Sequence, residues 1–183
     1  MQVSETVLPG VVLITPTVHR DARGHFLELH HATNYQQAGI DLPMVQTNCS
    51  RSSKRVLRGL HFQRTQPQGK LISVLAGEIL DVAADLDPES ETFSQSVAVT
   101  LNSDSQQQFY IPPGYAHGFV VRSDFALVMY QCTALYAPGD EAGIAWNDPQ
   151  LDIHWGEQAP ILSTKDRELP TLQAYLAESR EGL

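Results

Sequence analysis

The chain has 183 residues, 42% of them hydrophobic and 18% charged, which suits one domain with its own apolar core. A formal net charge of −9 argues against general nucleic-acid affinity, and no run of about 18 apolar residues offers a membrane span. Two cysteines, Cys49 and Cys132, lie far apart outside any CxxC spacing, and residues 1–12 lack a signal-peptide pattern, so free thiols in a cytoplasmic protein are expected.

Taken in chain order, the pattern is one of short β-like runs punctuated by turns. Residues 11–18 are β-branched and extended, and are expected to add to a neighbour's sheet edge. A short strand is predicted over 26–29 and a helix over 33–38. A strand follows at 56–61 and another at 71–75, which leads through a hairpin-like turn at Ala76-Gly77-Glu78 into 79–86. Residues 94–101 alternate cleanly, with Val97, Val99 and Leu101 on one face. Strands at 108–111 and 118–121 flank Pro112-Pro113-Gly114, and 126–133 is another apolar run. A last helix is predicted over 171–180, where Leu172, Tyr175 and Leu176 recur at helical spacing. The simplest architecture is a single domain over 1–183, mainly β: an antiparallel jelly-roll barrel with short helices, one of them C-terminal. Its mouth is the natural ligand pocket.

Charge is unevenly spread. Six of the twelve Lys and Arg residues fall between Arg51 and Lys70, in a window without Asp or Glu. This is either a solvated basic face or a means of capturing a small polyanion such as a diphosphate. The same window holds Leu57-Arg58-Gly59-Leu60-His61-Phe62-Gln63 and Gln68-Gly69-Lys70. Strict alternation along 56–61 would point Arg58 and His61 to opposite faces unless a bulge at Gly59 re-aims one of them. Other functional side chains cluster in 111–119, 129–133 and 162–167.

Pro112-x-Gly114-x-x-His117 resembles the second cupin motif, and His61 with Gly77 resembles the first. A metal-binding cupin would supply a His-x-His pair and an acidic ligand. Here position 63 is glutamine, and Lys70 stands near the acidic position; an ammonium has no lone pair and repels a cation. The donor set reads against a bound metal.

A closer resemblance covers nearly the whole chain, about residues 11–170. It is carried by Arg23-Gly24-x-Phe26-x-Glu28, Gln46-x-Asn48, Leu57-Arg58-Gly59-Leu60-His61, Gln68-Gly69-Lys70 and Ile111-Pro112-x-Gly114-x-Ala116-His117-Gly118-Phe119. Trp146-Asn147-Asp148-Pro149 and Leu162-Ser163-x-Lys165-Asp166 complete it. In this order they resemble the dTDP-4-dehydrorhamnose 3,5-epimerases. The resemblance implies a cofactor-independent homodimer acting on a dTDP-linked 4-keto-6-deoxy sugar, inverting the carbons that flank the ketone.

By the same resemblance His61 would be the base, Asp166 its carboxylate partner, Tyr130 the acid and Lys70 the group beside the keto oxygen. Arg58 would pair with the diphosphate and Arg23 with phosphate or sugar. Gln46 and Asn48 would give neutral hydrogen bonds, Phe26 a stacking surface for the base, and Glu28 an acceptor for its imide NH. His117, Tyr136 and Lys165 would complete the substrate pocket. The roles also make chemical sense: imidazole titrates near operating pH, and a phenol donates a proton without bringing charge into an apolar pocket.

The chain departs from the family pattern in four places. Gln131 replaces a basic residue, Leu135 the first of two tyrosines, His25 an aromatic, and Gly156 the proline after Trp155. Inversion of a single carbon is therefore the principal alternative within the class. Ketoisomerisation, metal-dependent oxygenation and simple binding on the same barrel are the alternatives outside it.

Overall fold

The computed structural model describes residues 1–181. In chain order the elements are β1 (Gln2–Glu5), β2 (Val12–Thr15), β3 (His19–Asp21), β4 (Gly24–Phe26), α1 (Ala32–Gln37), β5 (Gln46–Ser53), β6 (Leu57–Gln63) and β7 (Lys70–Ala76). There follow β8 (Glu78–Ala84), β9 (Ser96–Asn102), β10 (Gln108–Ile111), β11 (Ala116–Val121), β12 (Phe125–Cys132), β13 (Glu141–Gly143), α2 (Thr164–Arg167) and α3 (Leu172–Glu181).

Two antiparallel sheets face one another. One has the order β1-β2-β10-β7-β12-β5 and the other β13-β6-β11-β8-β9, while β3 and β4 form a separate hairpin. The fold is the expected mainly-β, cupin-like jelly roll. Between the sheets pack Ile72, Val74, Phe109 and Val128 from one side and Ile79, Ala83, Leu101, Phe119 and Val121 from the other. Period-2 alternation produces this. In β8, Ile79 and Ala83 enter the inter-sheet core, while Val82 and Ala84 pack outward against Trp155 and Leu172 of the C-terminal segment. A third cluster of Ile14, Tyr35, Ile40, Leu71 and Tyr110 covers the outside of the six-stranded sheet.

Three local expectations are corrected. The β2 part of the segment expected to add to a neighbour's sheet has both edges filled by its own chain, β1 on one side and β10 on the other. The turn at Gly77 does not join a hairpin, because β7 and β8 belong to different sheets. Gly77 has φ +83°, and an added Cβ would lie 2.1 Å from the Phe125 carbonyl oxygen, so only glycine fits where the chain crosses between sheets. The strand predicted over 26–29 stops at Phe26, as the second arm of the β3–β4 hairpin.

Candidate active site

A cleft of about 380 Å³ opens between the two sheets. Its walls are polar for a structural reason. On β5, Gln46, Asn48, Ser50 and Ser52 alternate onto one face, where the first three line the cleft and Ser52 is buried behind it. Ser52 accepts a hydrogen bond from Arg58 Nε at 3.1 Å, and the Gln46 amide donates to Asn48 Oδ1 at 3.0 Å.

The question of Arg58 and His61 is settled by a bulge. His61 pairs with His117 and Arg58 with Phe119, so three steps along β6 oppose two along β11. The extra residue flips the alternation, and both side chains line the cleft. Gly59 permits this: it has φ +120°, and a Cβ there would sit 2.5 Å from Gly118 Cα.

His61 Nε2 lies 2.6 Å from Asp166 Oδ1. Asp166 sits on the four-residue α2, and its own N–H is capped by the Ser163 hydroxyl at 3.0 Å. Burial alone would raise the Asp166 carboxyl pKa, but the His61 hydrogen bond and charge bring it below the ordinary value. An ionised Asp166 only accepts, so Nε2 carries the proton, and in the neutral ring the lone pair is on Nδ1.

Tyr130 comes from β12 on the opposite sheet, and burial raises its hydroxyl pKa, keeping it protonated. Lys70, from β7, reaches the His61 carbonyl at 3.5 Å; burial pushes its ammonium pKa down. His117 is buried beside Asp81, Nε2 to Oδ1 2.7 Å, and burial lowers its pKa against the pull of that carboxylate. The two histidines are thus committed to separate carboxylates rather than converging on one point. Gln63, at the position where a metal cupin carries histidine, donates to the Gln66 and Leu135 carbonyls and accepts from the Ala137 N–H.

The structure gathers Gln46, Asn48, Arg58, His61, Lys70, His117, Tyr130, Tyr136, Lys165 and Asp166 around this one cleft. It does not bring Arg23, Phe26 or Glu28 there. Arg23 and Phe26 lie on the exposed β3–β4 hairpin, with Phe26 68% exposed, and Glu28 lines a separate hollow with His31 and Tyr35. Two residues escaped the sequence reading. Glu141 lines the cleft and binds Tyr136 and Lys165, but in the sequence it stands next to Asp140 with no motif to mark it. Asp81 is marked in the sequence as an acid set within the otherwise apolar Ile79–Ala84 stretch of β8.

A cupin-like barrel that opposes a carboxylate-held imidazole to a protonated phenol, with a half-buried ammonium beside them, has the parts of an acid–base isomerase. The profile of the dTDP-4-dehydrorhamnose 3,5-epimerases matches residues 5–174. The chain is 44% identical over 172 residues to the dTDP-4-dehydrorhamnose 3,5-epimerase of Methanothermobacter thermautotrophicus, covering 92% of this chain and 93% of that one. It is 44% identical over 182 residues to the Salmonella typhimurium enzyme of the same name, covering 97% and 100%. Its fold is similar to that of dTDP-6-deoxy-D-glucose-3,5-epimerase from Legionella pneumophila in complex with dTDP-4-keto-L-rhamnose. That likeness has a TM-score of 0.93 and 45% identity, covering 97% of this chain and 95% of that one. The chain belongs to the dTDP-4-dehydrorhamnose 3,5-epimerase family, and it is an isomerase.

Proposed function

We propose that the protein inverts carbons 3 and 5 of dTDP-4-dehydro-6-deoxy-glucose by two deprotonation–reprotonation steps, and that it does so in the cytoplasm as a homodimer. The observation that carries this reading is the His61–Asp166 pair, 2.6 Å apart, facing Tyr130 across the cleft. His61 Nδ1 takes the proton next to the ketone, and the electron pair moves into an enolate. The enolate oxygen lies by the Lys70 ammonium, which stabilises the charge as it develops. Tyr130, from the opposite sheet, returns a proton to the other face of the carbon, and solvent restores both groups. A positioned acid–base pair of this kind is worth about 10²–10⁴-fold in rate.

Arg58 binds the diphosphate, with Gln46, Asn48, His117, Tyr136 and Lys165 around the sugar. Arg23, Phe26 and Glu28 lie away from the cleft of their own chain, so we assign them to the nucleotide end of a partner's cleft. Inversion at both carbons is favoured over one because the relatives at 44–45% identity are 3,5-epimerases.

The test is His61→Asn. Turnover should vanish while dTDP binding, read by calorimetry, persists; turnover at the wild-type rate in that variant would refute the reading. Light scattering should give twice the chain mass, and a monomer that epimerises at full rate would refute the shared cleft.

A further inference from the structure

Glu141 has no role in the assignments above, yet its carboxylate flanks the His61 ring. Asp166 holds Nε2, and Glu141 Oε1 lies 4.0 Å from Nδ1, so the imidazole sits between two carboxylates. The two oxygens of Glu141 are used differently. Oε2 accepts from the Tyr136 hydroxyl at 2.6 Å and from the Lys165 ammonium, which leaves Oε1 toward the ring. The side chain is only 14% exposed. Burial would raise its pKa, but the bonds from Lys165 and Tyr136 hold the group below the ordinary glutamate range, as an anion at neutral pH.

We propose that Glu141 is a positioning residue for His61: its fixed negative charge strengthens Nδ1 as a base and stabilises the imidazolium formed when the substrate proton is taken. The proposal rests on His61 being the base. An opposite charge within roughly 4–6 Å favours the charged form of a group. The interaction also changes along the reaction. With neutral His61, Nδ1 carries no charge near Oε1; with the imidazolium, a positively charged ring lies 4.0 Å from it. Stabilisation that grows with proton transfer accelerates the step.

The surroundings of His61 give this charge a purpose. Arg58 on β6, Lys70 on β7, Lys165 and Asp166 on α2, His117 on β11 and Tyr130 on β12 line the same cleft. Three of these are cations that oppose a charged His61, against one anion. A second carboxylate offsets that field, while Lys165 on its far oxygen damps it and Tyr136 fixes its place.

The experiment is an NMR titration of the His61 imidazole in ligand-free wild type, Glu141→Gln and Lys165→Met, with His61→Asn assigning the signal. Glutamine keeps the shape and can still accept from Tyr136. The His61 midpoint should fall by about one unit or more in Glu141→Gln. It should rise in Lys165→Met, a movement of opposite sign that loosened packing would not produce. The acidic limb of kcat/KM should move to lower pH with Glu141→Gln, and kcat should fall by up to about tenfold, the bound that one unit of basicity sets for complete proton transfer.

An unchanged His61 midpoint in Glu141→Gln overturns the proposal, even if activity or stability drops. Should Glu141→Gln fail to fold, Glu141→Asp decides: a midpoint near wild type supports the charge, and one lowered as if the charge were absent opposes it. The titration needs no substrate, so it separates from failure of the base assignment, which the turnover of His61→Asn reads alone.

Discussion

His61 Nε2 and Asp166 Oδ1 are 2.6 Å apart, although 105 positions of chain separate their residues. The pairing depends on α2, whose single capped turn sets Asp166 beside β6. Asp166→Asn keeps an acceptor but removes the charge that stabilises a protonated His61, and should cost about 10²–10⁴-fold in kcat with the fold intact. The same pair has a pH signature. The folded-state pKa of Asp166 is depressed, so its contribution to stability is present above the unfolded value near 3.8 and is lost as pH falls through the folded value. Thermal melts below pH 3.8 should therefore decline less steeply in Asp166→Asn than in wild type.

Tyr130→Phe should separate the two halves of the reaction. The base remains, so deuterium from solvent should still enter the substrate, while delivery from the opposite face and hence inversion should fall by about 10²-fold or more. Burial keeps the Tyr130 hydroxyl protonated across neutral pH, so the wild-type acid should not titrate there. Inversion at the wild-type rate in the variant would remove Tyr130 from the mechanism.

Gly59→Ala attacks the bulge that brings Arg58 and His61 to one cleft. The new Cβ would meet Gly118 Cα at 2.5 Å and the His117 oxygen at 2.7 Å, at a backbone φ of +120°. Overlap with backbone and left-handed strain together should cost about 2–4 kcal/mol in urea unfolding, with activity lost as well. A change under about 0.5 kcal/mol would mean the bulge is not held by this contact.

Apolar strands were legible where one face meets the core. The alternation predicted over 94–101 corresponds to β9, Ser96–Asn102, and Leu101 is fully buried between the sheets. The C-terminal helix was legible for the same reason, with Leu172 buried against Trp155. The strand β5 was not. Its inward side chains are Gln46, Asn48, Ser50 and Ser52, so hydropathy shows nothing, and only the Gln46-x-Asn48 motif marked it. The site followed the same division. Motif residues on strands were placed together, whereas Glu141 on a three-residue strand and the detached position of Arg23, Phe26 and Glu28 required three dimensions. Alternation alone also left Arg58 and His61 in conflict, because a bulge is set by the partner strand β11 and by close packing on Gly118, neither of which is local in sequence.

The central claim is proton exchange at both carbons flanking the ketone through His61. The most direct measurement is proton NMR of dTDP-4-dehydro-6-deoxy-glucose incubated in D₂O with wild type and with His61→Asn, without added metal. The account predicts deuterium at carbons 3 and 5 with inversion at both, and neither exchange nor inversion in the variant. Exchange at one carbon alone would contradict double inversion, and exchange that survives in His61→Asn would contradict the assignment of the base.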